Sequence, residues 1–227
     1  MTDNEHTVMG HLALHYRDGD DRLARLLLED IGCVLVDNGP SPGRDGFCTV
    51  LLDAVNATFA DNLFFLSKLD ESQQALEDAI TAALHIGTAE QHPAVTNFFA
   101  RRHAQAESIA HFGIRYGTFE QLEAVLARLE RDTAAGGPLH GRVEVQKRVP
   151  PPRFSAAADQ RIADSPLFTG DEAAGPAKHW VQCRFITDII GFGLVSLGAE
   201  FELDYVFEEF YDGPVSFARA VAESANE

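Results

Sequence analysis

Two histidines in this sequence stand in matching settings. His11 opens the run HLALHY, and His111 opens HFGIRY one hundred residues later; Leu12 then aligns with Phe112, Leu14 with Ile114 and Tyr16 with Tyr116. Imidazole both ligates metals and exchanges protons near neutral pH. Two more histidines, His140 and His179, flank a long stretch of loop composition. They offer acid/base groups. Toward the C-terminal end, GAEFELD carries Glu200 and Glu202, which strand alternation turns to one face. His15 shares a strand face with His11, but Arg115 takes its place in the second run. The sequence contains no GxSxG, no HExxH, no phosphate-binding glycine loop and no zinc-finger cysteine spacing. The chemistries those motifs mark are therefore not expected.

The elements that must hold these residues are legible as a repeat. HLALHY and HFGIRY alternate around Leu12/Leu14 and Phe112/Ile114, which is the period of a half-buried strand. A helix follows each. Leu23, Leu26 and Leu27 form one apolar stripe, and Phe119, Leu122, Val125, Leu126 and Leu129 form another. Thr118 with Gln121 has capping-box spacing. Three strand-like runs follow each helix: CVLVDNG (33–39), FCTVLLDAV (47–55) and NLFFLSKL (62–69), then GRVEVQKRV (141–149), HWVQCRFIT (179–187) and EFELDYVF (200–207). The unit is β-α-β-β-β, written twice. One copy makes a curved sheet with a helix on its back and leaves the other face open, so a second copy is needed to enclose that face.

The expected fold is therefore α+β: two βαβββ units pairing into a curved mixed sheet around a central cleft, with a helical insertion between them. Residues 1–69 are read as the first unit, 70–109 as a helical bridge and 110–227 as the second unit. In the bridge Leu76, Ile80 and Leu84 recur every four residues, Asp70 is placed to cap, Gly87 to stop the helix and Pro93 to open the next. Residues 150–178 are rich in Pro, Ala, Gly and Asp without a period. They read as a long loop, either disordered or a lid over the cleft.

HLALHY and HFGIRY, each followed by an amphipathic helix, together with the closing GAEFELDYV, resemble the vicinal oxygen chelate superfamily of glyoxalases, extradiol dioxygenases, fosfomycin-modifying enzymes and bleomycin-binding proteins. The resemblance implies metal ligands on the first and last strands of the units. It places His11 and His111 as two ligands and Glu202 as the third, with Glu200 the alternate. Phe65 falls where the first copy would carry its own carboxylate, so one site is implied. Two histidines and one carboxylate are closer to the extradiol dioxygenases and fosfomycin-modifying enzymes than to glyoxalase I.

Such a set suits Fe(II) or Mn(II) with about three positions open to a bidentate oxygen substrate, the ion acting as a Lewis acid. The implied function is a metal-dependent enzyme, an extradiol-type ring-cleaving dioxygenase or a lyase or isomerase, acting on a small oxygen-rich or aromatic molecule. The competing reading is a metal-free binding or accessory protein of the same fold.

Composition bounds the partners. The chain has 35 acidic against 18 basic residues, a formal net charge of −17. A field of that sign repels phosphate and argues against nucleic acid or an anionic membrane. Arg101-Arg102 and Lys147-Arg148 read as solvated surface charge. No signal peptide or membrane span is expected. Three cysteines without CxxC spacing read as reduced thiols of a cytoplasmic protein. The two copies are expected to pair within one chain or to exchange between two chains of a homodimer.

Overall fold

A computed structural model describes residues 10–39, 46–53, 62–105, 109–150, 155–170, 172–174 and 180–207. In chain order the elements are β1 (His11–Tyr16), α1 (Asp21–Asp30), β2 (Val34–Asp37), β3 (Cys48–Leu51), β4 (Leu63–Lys68), α2 (Glu71–Leu84), α3 (Pro93–Ala104), β5 (Phe112–Arg115), α4 (Phe119–Thr133), β6 (Val143–Val149), α5 (Ala156–Ala163), β7 (Ala173–Ala174), β8 (Trp180–Thr187), β9 (Ile190–Gly191) and β10 (Ala199–Val206). The class is α+β. The strands form two five-stranded mixed sheets, ordered β2-β3-β4-β1-β9 and β5-β10-β8-β6-β7, and neither closes into a barrel. Among the described residues no helix is long and apolar enough to cross a membrane.

Local signals place the helix ends. Asp70 accepts from the backbone N–H of Ser72 and Gln73, both at 2.8 Å, and the Gln73 side chain accepts in return from the Asp70 N–H. Thr118 and Gln121 exchange the same pair of bonds at the start of α4, each at 3.2 Å. Pro93 opens α3, where its missing N–H has no helical partner to lose. At the end of α2 the left-handed position is taken by His85 at φ 50°, two residues before Gly87.

In the first sheet β1 runs parallel to β4, with Ala13 opposite Phe65 and His15 opposite Ser67. One face carries Leu14, Tyr16, Phe64 and Leu66, all buried, as are Ala24, Leu27 and Leu28 of α1. Burial of each of the leucine and phenylalanine side chains stabilises by roughly 1.5–3 kcal/mol. In the second sheet β5 runs parallel to β10, with Phe201 opposite Phe112 and Glu202 opposite Gly113. Its apolar face holds Phe201, Leu203 and Tyr205. The Phe185 and Phe201 rings stack 4.9 Å apart, and Phe119 of α4 meets Tyr205 at 5.5 Å and Phe207 at 5.7 Å.

The described residues pack as two compact units that are not contiguous in sequence. Those within Met1–His111, Arg128–Glu144 and Ile186–Glu200 form one, and those within Phe112–Ala127, Val145–Phe185 and Phe201–Glu227 form the other. Two segments that the repeat allots to the second copy thus belong with the first, and specific bonds hold them there. Strand β9 adds to β1. Glu77, 3% exposed, accepts the N–H groups of Val195 (2.6 Å) and Ser196 (2.9 Å) at a 3-10 turn, Val195–Leu197. Arg142 bridges Asp20 at 2.9 Å and Asp188 at 2.8 Å.

Three local expectations are corrected. The 150–178 stretch holds helix α5, capped by Ser155. Arg161 of α5 reaches Glu123 (2.5 Å) and Glu120 (3.0 Å) on α4 and lies 4.4 Å over the Phe119 ring, while Phe168 stacks on Phe119 at 5.8 Å. The alanine-rich AAADQRIA offers too few apolar side chains to display a helical period. The apolar spacing of α2 is misleading: Leu76 is 56% exposed and the helix buries Glu77 instead. Arg102 is not surface charge. It is 6% exposed, lies 4.9 Å over the Phe99 ring and donates to the Leu197 carbonyl at 2.5 Å.

Candidate metal centre

The polar face of β10 alternates with the apolar one. Glu200, Glu202 and Asp204 point opposite to Phe201 and Leu203, yet they too are buried, at 1%, 6% and 5% exposure. A strand buried on both faces with carboxylates along one of them needs cations or donors beside them. His111 directly precedes β5, the parallel neighbour of β10. One ligand atom each from His111, Glu200 and Glu202 lies within 4.8 Å of the other two.

Each of the three has a supporting partner. The His111 Nδ1 is 2.8 Å from the Ile109 carbonyl oxygen. A carbonyl only accepts, so Nδ1 carries hydrogen and the ring presents the Nε2 lone pair. The Gln182 side-chain amide of β8 donates to Glu202 Oε2 at 3.5 Å. Arg102 lies within electrostatic reach of Glu200; burial lowers the Arg102 pKa, and the charges of Glu200 and Glu144 oppose that shift. On the same face Arg184 donates to Gln146 at 2.5 Å.

The donor set fits a divalent cation. Two carboxylates balance a dication's charge, one imidazole adds a borderline ligand, and His111 is the accessible member that leaves a side open to solvent. Two nearly buried carboxylates this close to one another are costly without a cation to neutralise them.

The candidate residues are distributed as follows. His111 and Glu202 come together, and Glu200 joins them. Among the described residues His11 is not a member of this group. It lies in a hollow of the first sheet with its ring 4.6 Å from Phe65. His140 is exposed on the turn after α4, where its Nδ1 is 3.0 Å from the Thr133 carbonyl oxygen. His179 lies outside the described residues. Gln182 and Arg102 were not legible as supporting residues. The one available signal was the spacing of Arg102 three and four residues after Phe99 and Phe98 on a helix. In comparisons with known proteins, no family model, no curated protein and no solved structure matches the chain.

Proposed function

We propose that this chain is a metal-dependent enzyme of vicinal oxygen chelate type, built of two βαβββ units, in which His111, Glu200 and Glu202 hold one divalent cation. The single observation that carries the reading is the convergence of these three ligand atoms within 4.8 Å on one sheet face. The element orders β1-α1-β2-β3-β4 and β5-α4-β6-β8-β10 support the repeat. So do the matching strand orders β2-β3-β4-β1 and β6-β8-β10-β5, each with a parallel pair between first and last strand.

The donor set bears on the choice between reaction branches. One imidazole and two carboxylates make a harder set than two imidazoles and one carboxylate, favouring Mn(II) over Fe(II). That favours the lyase or isomerase branch over ring-cleaving oxygen chemistry. A bound dication supplies a Lewis acid that holds adjacent substrate oxygens and stabilises enolate-like charge. The chain's own groups neutralise the ion through Glu200 and Glu202, orient Glu202 through Gln182 and set the His111 tautomer through Ile109.

The test is metal content. Chelator-stripped protein titrated with Mn(II), followed by electron paramagnetic resonance, is expected to bind about one equivalent. No saturable binding of Mn(II) or of Fe(II) under anaerobic conditions would overturn the enzyme reading in favour of a metal-free binding protein.

A further inference from the structure

We propose that the hollow of the first sheet is a binding site for a small planar nitrogen heteroaromatic molecule, neutral or cationic, held along a Phe65–Phe47 wall with its ring nitrogen at the His15–Ser67 pair. This stands independently of the metal reading, because none of His111, Glu200 and Glu202 lines the hollow.

The hollow has a volume of about 710 Å³, within the roughly 300–1,000 Å³ of small-molecule sites. Its shape follows from strand register. Ala13 lies opposite Phe65 on parallel strands, so a methyl group faces a ring, and Ala13 is exposed on the floor. Beside this floor the wall is continuous: His11 packs 4.6 Å from Phe65, and Phe47 packs 5.2 Å from its other side. A floor one methyl high beside a row of rings is a slot for a flat apolar body, and aromatic rings gain from offset or edge contact there.

One end of the slot is polar. His15 Nδ1 is 3.1 Å from Ser67 Oγ, and the hydroxyl both donates and accepts. Burial lowers the His15 pKa, opposed by the Asp70 charge, so the imidazole is neutral at neutral pH and supplies one donor and one acceptor. A ring N–H and a ring nitrogen are both matched by such a pair. The rim sets the charge. Asp70 and Glu71 are exposed there, while the rim's Lys68 is tied to Asp18 at 2.9 Å. Carboxylates at the mouth favour cations and repel anions.

The test is calorimetric titration of the full chain in excess chelator, with indole and benzimidazole as probes and indole-3-carboxylate as the anionic counterpart. The expected result is saturable binding of indole or benzimidazole at one site per chain. The anionic probe should bind at least tenfold more weakly. Ala13→Phe, which fills the slot from an exposed position, should abolish binding, and Ser67→Ala should weaken it several-fold. Circular dichroism melting establishes that each variant is folded; should Ala13→Phe fail to fold, Phe65→Ala serves in its place and should weaken binding at least tenfold. Absence of binding to the parent, parent-like binding by the folded slot variant, or equal binding of indole-3-carboxylate would each overturn the proposal.

Discussion

Glu202 lies directly opposite Gly113 across the parallel β10–β5 pair. The residue facing Glu202 on the neighbouring strand therefore has no side chain. A Cβ at residue 113 would sit 3.6 Å from Asp204 Oδ2, an ordinary contact, so alanine fits, whereas a branched side chain presses on Asp204, which shares a strand face with Glu200 and Glu202. Gly113→Ala should leave metal affinity within about twofold, whereas Gly113→Val should weaken it at least tenfold at unchanged melting temperature. Mn(II) titration of both variants checks this; equal affinities would place the open side of the site elsewhere.

Removing ligands should separate the converging set from the set expected from the repeat. His111→Ala, Glu200→Gln and Glu202→Gln should each abolish stoichiometric binding, and His11→Ala should not. Gln182→Leu removes only the bond that orients Glu202, so its loss should cost about 10–100-fold in affinity. Elemental analysis after dialysis against a metal buffer reads all five. Loss of metal in His11→Ala would restore the two-histidine reading.

Stability should depend on a carboxyl pair away from this site. Asp30 is 2% exposed, and burial followed by the charge of Asp132 raises its pKa to about 6. Arg131 holds Asp132 at 2.7 and 2.9 Å, and the Asp132 pKa is lowered first by that bond. Between an unfolded value of about 3.9 and 6 the folded state keeps the Asp30 proton that the unfolded chain has lost. The Asp30 contribution to stability therefore falls as pH rises through this window. Asp30→Asn should be stabilising relative to the parent at pH 7.5, and the difference should shrink toward pH 4.5. Asp132 acts in the opposite direction, its contribution being lost as pH falls below its unfolded value. Calorimetric melting at the two pH values reads the difference; a pH-independent gap would show that Asp30 keeps an ordinary pKa.

Glu77 ties α2 to the 3-10 turn through two backbone N–H groups. Glu77→Leu leaves both donors buried without their acceptor and should cost about 2–4 kcal/mol, while Glu77→Gln keeps one acceptor and should cost less. Urea unfolding monitored by circular dichroism measures both. A cost below about 0.5 kcal/mol for Glu77→Leu would mean that water replaces the carboxylate.

Phe119 touches Phe168, Tyr205 and Phe207 and carries the Arg161 guanidinium on its face. Phe119→Ala should destabilise by about 3–5 kcal/mol and release α5, seen as faster proteolysis within residues 156–163. Proteolysis at the parent rate would show that the Arg161 ion pairs alone hold α5.

The local elements and their phases were legible in the sequence. Period-two runs became β1, β5, β8 and β10, the apolar stripes became α1 and α4, and Asp70, Thr118 and Pro93 mark helix starts, because caps and periodicity act within a few residues. The common face of Glu200 and Glu202 followed from alternation in the same way. Which groups meet depended on long-range packing. His111 reaches these carboxylates because β5 pairs in parallel with β10 in one register, and His11 instead lies beside Phe65 because β1 pairs with β4. Segments 128–144 and 186–200 joined the first unit through Arg142, Glu77 and β9, and Arg102 was buried by aromatic rings and a distant carbonyl. These contacts join residues far apart in the chain, and their free energy comes from desolvating both partners together, which no local pattern encodes.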